Sequence, residues 1–299
     1  MNATPQQAYE LIFEASAHNF PTMFGYGVGE SSTAIAFTVP QGEGWRDVSW
    51  AEVRKIADRG AAGLLALGLQ AEERVAIASN TRFEWVLADL AIACAAGATT
   101  TVSPNTTGEE MSYILTDSGS KMVFAEDAEQ LDKVLALTEL NDKIEQIIVL
   151  ADDAAASSAT DERVMSWQEL LDKGEAYLAE HPDSVDTAIA SAGPDTLSTL
   201  IYTSGTTGRP KGVQLLHRNW TYEGYAIKYL DFVTSDDVLY LWLPLSHVFG
   251  RDQVSVQLSI GFRSVVDGRI DRIGQGLGET HPTILVGVPR IFEKVRAAV

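Results

Sequence analysis

The sequence predicts an α/β protein in which a mostly parallel sheet is covered by helices on both faces. Short, nearly continuous apolar segments alternate along the chain with longer segments of helical periodicity. Strands buried on both faces are typically continuous apolar runs, and parallel neighbours need crossover helices between them. A hydrophobic content of 45% over 299 residues supplies the large core that such a fold requires.

The elements can be placed along the chain from composition and capping. Seven segments have the composition of buried strands: 74–79, 98–103, 121–125, 144–150, 199–204, 238–244 and 284–288. A capping box pairs a hydroxyl with a carboxylate three residues later, so that two free amides find acceptors. Such boxes predict helix starts at Ser49 with Glu52, Thr81 with Glu84, Thr107 with Glu110, and Ser166 with Glu169.

Two segments rich in small and polar residues, 151–161 and 182–196, are typical of connectors. The second one suggests a division of the chain. We expect an N-terminal α/β subdomain over residues 1–181, a connector over 182–198 and the start of a second subdomain over 199–299.

The charge is strongly negative and uneven. The chain has 22 basic and 41 acidic residues, a net charge of −19. By thirds, the net charge is −5 over residues 1–100, −16 over 101–200 and +2 over 201–299. This balance argues against a nucleic-acid partner, and only the last third is suited to a polyanionic ligand.

Cysteine and histidine usage excludes several kinds of site. The single cysteine, Cys94, rules out a disulfide framework and lies in an apolar stretch typical of a core. The five histidines lack metal-ligand spacing. No basic residue precedes Arg46, and the longest apolar run, 85–98, is interrupted by Asp89. We therefore expect neither a signal peptide nor a membrane span, and a cytoplasmic location.

The segment that follows the predicted strand 199–204 has the composition of a phosphate site. Residues 203–212 read TSGTTGRPKG, and we expect a helix from about His217. Glycines let the backbone approach an anion closely, while loop amides, hydroxyls and basic side chains bind phosphate oxygens. The spacing is not that of a Walker A loop, because no hydroxyl follows the lysine. The predicted phosphate-binding residues are Thr203, Ser204, Gly205, Thr206, Thr207, Gly208 and Lys211.

The order YTSGTTGRPKG over 202–212 resembles the phosphate-binding signature of adenylate-forming, AMP-binding enzymes. That superfamily includes acyl-CoA synthetases, firefly-type luciferases and peptide-synthetase adenylation domains. The resemblance implies an N-terminal domain of the adenylate-forming fold. It also implies that the loop hydroxyls and Lys211 bind ATP, with Thr206 or Thr207 beside Mg²⁺ and Lys211 acting in catalysis.

Two further segments resemble the same superfamily. LPLSHVFGR over 243–251 is similar to its substrate-side motif, which implies that His247 lies near the acyl carboxylate. By itself, His247 would more often be a packed or capping residue. VPRIFEKV over 288–295, together with the run 217–219, resembles long-chain fatty acyl-CoA synthetases.

The implied reaction has two steps. A fatty carboxylate attacks the α-phosphorus of ATP and expels pyrophosphate, and the acyl-adenylate then passes its acyl group to the thiol of CoA. The carboxylate is already a nucleophile, so catalysis would come from positioning and charge neutralisation by the loop, Lys211 and Mg²⁺. The implied ligands are fatty acid, ATP and CoA, with no nucleic acid; membrane contact, acyl chain length and oligomeric state stay open.

The chain departs from the family pattern in what it lacks. The Tyr-Gly-x-Thr-Glu motif, the ribose-binding Thr-Gly-Asp, the hinge and the C-terminal domain with its lysine are absent from these residues. We therefore expect weak triphosphate binding without turnover, which fatty-acid-dependent ATP–pyrophosphate exchange would contradict. A fatty acyl-AMP ligase, an aryl-CoA ligase and a non-catalytic nucleotide-binding half-protein remain alternatives. Product analysis with and without CoA separates the enzymes.

Overall fold

The computed structural model describes residues 10, 17–151, 153–203, 209–289 and 292–293. Short 3₁₀ turns occur at Thr138–Leu140 and Ile270–Arg272. The helices and strands are, in order, α1 (Phe20–Ser31), β1 (Ile35–Gln41), β2 (Gly44–Ser49), α2 (Trp50–Ala66), β3 (Arg74–Ala78), α3 (Phe83–Cys94), β4 (Ala98–Val102), α4 (Gly108–Ser118), β5 (Ser120–Ala125), α5 (Ala128–Leu135), β6 (Gln146–Val149), α6 (Asp153–Ser158), β7 (Val164–Ser166), α7 (Trp167–Glu180), α8 (Ser184–Ser191), β8 (Leu197–Thr203), β9 (Lys211–Leu216), α9 (His217–Leu230), β10 (Val238–Leu241), α10 (Val248–Ile260), β11 (Arg263–Val266) and α11 (Ile273–Thr280).

The strands form two sheets. The seven-stranded sheet has the order β7-β6-β5-β3-β4-β8-β9, and the four-stranded sheet has the order β10-β11-β1-β2. Neighbours are parallel except at one edge of each sheet, where β9 runs antiparallel to β8 and β2 antiparallel to β1. The predicted fold class, mostly parallel sheets covered by helices, is confirmed.

The main core lies around α2 and α3 and reaches both sheets. Phe37 and Val48 of the four-stranded sheet share one buried cluster with Val75 and Ile77 of the seven-stranded sheet and with most of α3. Because α3 is apolar on every side, it must be buried all round. Cys94, its last residue, is fully buried as predicted, and burial raises the pKa of its thiol, which makes it unreactive.

Three of the four predicted capping boxes are confirmed, at Ser49, Thr107 and Ser166. The fourth prediction is wrong, because α3 begins at Phe83 and its N-cap residue is Arg82. The hydroxyl of Thr81 bonds instead to residues more than 160 positions away. A tertiary partner has therefore replaced the local cap.

Six of the seven predicted strands are present. The last, 284–288, is reduced to one isolated bridge between Ile284 and Leu239. The sequence did not predict β1, β2, β7, β9 or β11. These strands are short or partly exposed, so they lack a continuous apolar run.

The two predicted connectors contain short helices, α6 and α8. The Asn19 side chain donates to the carbonyl oxygens of Ile189 (2.9 Å) and Ala192 (2.8 Å), which holds the end of α8 against the start of α1. Each of the two sheets contains strands from the predicted N-terminal subdomain and strands from the predicted second subdomain, so neither sheet belongs to one part alone. The division at 182–198 therefore stays a prediction.

Candidate functional site

The predicted phosphate loop lies at the tip of the β8–β9 hairpin. Thr203 and Lys211 are paired across the two strands, and both are exposed. The predicted ligands between them, Ser204, Gly205, Thr206, Thr207 and Gly208, lie outside the described residues. The sequence pattern predicts a loop that leads directly into a helix. Instead β9 intervenes, and α9 begins at His217 as predicted.

The base of this hairpin is anchored to α4. The Tyr202 hydroxyl donates to Asp117 Oδ2 (2.7 Å), and burial together with Asp117 raises the pKa of this phenol, which keeps it a donor. A Cβ at Gly212 would lie 2.9 Å from Cζ of the Tyr202 ring, so only glycine fits beside it. The Arg209 guanidinium carbon lies 5.4 Å from the centre of the Tyr113 ring. Both ends of the hairpin tip therefore contact α4.

The substrate-side motif, 243–251, is held by two buried threonines. The Thr81 hydroxyl donates to the Leu243 carbonyl oxygen (2.7 Å) and accepts from the Leu245 N–H (3.1 Å). The Thr101 hydroxyl on β4 donates to the Ser246 carbonyl oxygen (3.0 Å), and the Leu200 carbonyl of β8 lies 3.5 Å away. The residue before His247 is therefore attached to the strand that pairs with β8. This contact brings the two motifs to the same end of the seven-stranded sheet.

His247 occupies the N-cap position of α10. Its side chain is exposed and does not cap the helix. Gly250 in the first turn packs so closely on the Pro244 carbonyl that a Cβ would collide with it. The imidazole thus lies at the N-terminal end of α10, where the helix dipole favours a carboxylate.

A buried ion pair fixes α10 behind His247. Arg251 Nε and Nη2 each lie 3.0 Å from an oxygen of Asp89 on α3, and both side chains are almost fully buried. Thr99 donates to the same carboxylate (2.7 Å). The Arg251 guanidinium carbon also lies 4.1 Å from the Trp220 ring centre and 4.9 Å from that of Phe20. One feature of the sequence indicates a buried ion pair, the acidic residue Asp89 inside an apolar segment, but the sequence does not indicate its partner.

His217, in the run that resembled long-chain enzymes, is a buried structural residue. Its Nδ1 accepts from the Phe20 N–H (3.3 Å). Burial first, then the charge of Arg251, lowers the pKa of the imidazole to about 4. Of the segment 288–295, Arg290 and Lys294 lie outside the described residues.

A cavity of about 420 Å³ opens between the first turns of α9 and α10. It begins at the residues that follow His247. Its walls are largely apolar, and polar side chains occur at a few positions. The lining residues are Leu215, Arg218, Asn219, Trp220, Tyr222, Glu223, Val248, Phe249 and Asp252. Apolar walls with few polar groups are typical of small-molecule sites.

Asp252 is the unusual group of this cavity. Its Oδ1 is buried without a hydrogen-bond partner in the described part of the chain. Burial first, then the charge of Glu223, raises the pKa of Asp252 to about 7, against a smaller opposing effect of Arg251. This carboxyl is therefore partly protonated near neutral pH.

A larger cavity, of about 650 Å³, lies at the carboxyl ends of β1, β3 and β11. Its wall contains three arginines, Arg46, Arg82 and Arg269, and each lies near a carboxylate. Arg82 bonds to Glu84 (2.6 Å) and Glu126 (3.2 Å), and Arg269 bonds to Asp267 (2.8 Å). Because these carboxylates offset the charges of the arginines, the cavity presents little net positive charge to an anion.

No cluster of three or more His, Cys, Asp or Glu side chains that could hold a metal ion occurs among the described residues. The predicted Mg²⁺ contacts, Thr206 and Thr207, lie outside them. The same ranges contain no helix that is both long and apolar enough to cross a membrane.

Both motifs fall within a known family. The model of the AMP-binding enzyme family matches residues 28–299. The chain belongs to this family. The matched range includes both the hairpin tip and His247.

A curated relative agrees with the family assignment, and solved structures agree with the fold. The long-chain-fatty-acid–CoA ligase FadD15 of Mycobacterium bovis is 31% identical over 258 residues, covering 84% of this chain and 40% of that protein. The chain thus spans about two-fifths of this curated relative. A long-chain-fatty-acid–CoA ligase, FadD1, of Archaeoglobus fulgidus superposes with a TM-score of 0.77 at 18% identity, over 91% of this chain and 52% of that one. ATP-bound MatB of Rhodopseudomonas palustris gives a TM-score of 0.72 at 25% identity, over 92% and 50%.

Proposed function

We propose that this chain contributes the phosphate loop and the carboxylate site of a long-chain fatty acid–CoA ligase. The reaction would activate a fatty acid with ATP as an acyl-adenylate and transfer the acyl group to CoA. The observation that carries the proposal is the Thr101 contact, which holds the His247 motif on the strand beside the phosphate hairpin. The name of the Mycobacterium bovis relative supports the substrate class.

Lys211 is the basic residue best suited to meet the triphosphate. It is exposed at the tip of the hairpin and has no carboxylate partner among the described residues. Arg209, by contrast, is held over Tyr113. A fixed positive charge beside phosphate oxygens would stabilise the charge that builds up on the departing pyrophosphate.

His247 and the start of α10 would position the fatty carboxylate. The exposed imidazole and the positive end of the helix both favour a negative group. The cavity between α9 and α10 begins one residue later, so it would hold the apolar chain away from water. No general base is required, because the carboxylate already has its attacking lone pair, and rate would come from alignment with the α-phosphorus.

The proposed reaction also uses Mg²⁺ and CoA. Mg²⁺ would neutralise phosphate charge when bound, and Thr206 and Thr207 remain its proposed partners in this chain. CoA enters through the names of the relatives alone.

The nucleotide half of the proposal can be tested by calorimetric titration with Mg-ATP. We expect Lys211→Ala to weaken binding by about tenfold or more, the usual loss when a charged hydrogen bond to phosphate is removed. Lys143→Ala is the matched control, since Lys143 is an exposed lysine in the acidic middle third. Equal affinities in wild type and Lys211→Ala, or no binding by the wild type, would contradict the proposal.

A further inference from the structure

The phosphate hairpin, β8–β9, contacts one face of α4 on both sides of its tip. On the β8 side, the Tyr202 hydroxyl donates to Asp117 Oδ2 (2.7 Å). On the β9 side, the Arg209 guanidinium carbon lies 5.4 Å from the centre of the Tyr113 ring. Residues 113 and 117 are four apart in the helix, so they lie on the same face. One turn of α4 therefore holds the hairpin on both sides of the tip.

Tyr202 connects Asp117 to the strand that carries Lys211. Tyr202 pairs with Gly212 across the two strands, and Thr203 pairs with Lys211. A Cβ at Gly212 would lie 2.9 Å from Cζ of the Tyr202 ring, so the ring packs directly on the β9 backbone beside Lys211. The position of the ring therefore determines the position of the backbone next to the lysine.

Lys211 lies on the face of the hairpin that α4 leaves open. Successive side chains of a strand point to opposite faces, and partners across two strands share a face. Tyr202 faces α4, so the side chains of Thr203 and Lys211 face away from it. Both of these residues are exposed. The helix therefore supports the hairpin from behind without covering the lysine.

Asp117 contributes little to the stability of α4 itself. It lies in the last turn of the helix, where the negative end of the helix dipole disfavours a carboxylate. Its side chain is exposed, so its hydrogen bond to Tyr202 adds only a modest amount to the free energy of unfolding. The contact with Tyr202 is therefore the feature by which an aspartate at this position differs from an alanine.

We propose that Asp117 is a positioning residue for ATP, which holds Tyr202 and thereby the backbone that carries Lys211. The inference rests on the proposed function, because it assumes that Lys211 binds the triphosphate. It adds α4 to the elements that determine ATP affinity. A hairpin that is held in place before the ligand arrives loses less conformational freedom on binding. Asp117 acts through Tyr202 and is not itself a ligand of phosphate, since its charge repels an anion.

The test is calorimetric titration of Mg-ATP into wild type and variants of the chain. Asp117→Ala and Tyr202→Phe should each weaken binding by about fivefold, the equivalent of one ordinary hydrogen bond. The double variant should bind no more weakly than either single variant, because both changes break the same contact. Removing a negative charge near phosphate would by itself strengthen binding, so the sign of the effect separates positioning from charge.

Asp117→Asn separates the hydrogen bond from the charge. Its amide oxygen still accepts from the Tyr202 hydroxyl, so this variant should bind Mg-ATP at least as tightly as the wild type. Asp142→Ala and Tyr229→Phe change an exposed aspartate and an exposed tyrosine outside the hairpin and α4, and should leave the affinity unaltered. Thermal unfolding of every variant at a melting temperature close to that of the wild type shows that weaker binding is not caused by loss of the fold.

The outcomes distinguish the role of Asp117 from the proposed function. The positioning role is overturned if Asp117→Ala binds Mg-ATP as tightly as the wild type, if Asp117→Asn binds as weakly as Asp117→Ala, or if the losses add in the double variant. The proposed function stands in these cases when Lys211→Ala still weakens binding. If the wild type does not bind Mg-ATP, or if Lys211→Ala leaves binding unchanged, the proposed function fails and this inference fails with it.

Discussion

At the scale of single residues, buried hydroxyls do much of the positioning. Thr81 joins the loop after β3 to the backbone at Leu243 and Leu245. We expect Thr81→Val to lower the free energy of unfolding by about 2 kcal/mol, because two buried backbone groups lose their partner. Urea denaturation measures this, and Thr116→Val, at an exposed position, should change stability little. Equal effects of the two variants would contradict the role of Thr81.

His217 predicts an acid-sensitive term in stability. Its pKa of about 4 in the folded state lies below the ordinary 6.5, so the unfolded chain takes up the proton first as pH falls. The free energy of unfolding should therefore drop by about 3 kcal/mol between about pH 6.5 and pH 4. His217→Asn, which keeps an acceptor for the Phe20 N–H, should flatten this slope in denaturation curves. An unchanged slope would show that other groups cause it.

Asp252 predicts a slope of the opposite sign. Its pKa of about 7 in the folded state lies above the ordinary 3.8, so the folded chain keeps the proton longer as pH rises. The protonated carboxyl contributes its full stabilisation below about pH 4. Between about pH 4 and about pH 7, the free energy of unfolding falls by up to about 1.4 kcal/mol per pH unit. Asp252→Asn should remove that loss, and Asp236→Asn should not. Because the terms of His217 and Asp252 oppose each other, only the single variants reveal them.

At the scale of elements, α10 depends on one glycine for the approach of its first turn. A Cβ at Gly250 would collide with the Pro244 carbonyl, whereas a Cβ at Gly278, on α11, would meet no atom within 4 Å. We expect Gly250→Ala to destabilise the protein by about 2 kcal/mol or more and to weaken fatty-acid binding. Gly278→Ala should be neutral or stabilising by up to about 1 kcal/mol. Thermal unfolding compares them, and equal melting temperatures would contradict the close packing.

The same scale shows what the sequence could and could not predict. Strands β3 and β5 are largely buried, and apolar runs in the sequence predicted them. Strands β4 and β8 contain several threonines, and their β-branched and apolar residues predicted them. The edge strand β9 is half exposed and has no such pattern. The motifs of the site were visible because they are contiguous. Asp89 and Arg251 are 162 residues apart, and Thr101 and Ser246 are 145 apart, so only the fold reveals that they meet.

At the scale of the whole molecule, the Asp89–Arg251 pair couples α3, in the main core, to α10. Removing one partner leaves an uncompensated buried charge, so Arg251→Met should cost about 3–5 kcal/mol of folding free energy. The double variant Asp89→Leu with Arg251→Met should regain most of it, because apolar packing can replace a buried ion pair. Chemical denaturation of wild type, both single variants and the double variant forms the cycle. Additive losses would contradict direct coupling.

We propose that one site combines a phosphate loop with a fatty-carboxylate site at His247. The most direct test is calorimetric titration of a long-chain fatty acid and of Mg-ATP into wild type, His247→Ala and Lys211→Ala. We expect each variant to affect one ligand only. His247→Ala should weaken binding of the fatty acid by about tenfold and leave ATP binding unchanged, and Lys211→Ala should weaken ATP binding and leave fatty-acid binding unchanged. Fatty-acid binding that is indifferent to His247, or wild-type protein that binds neither ligand, would contradict it.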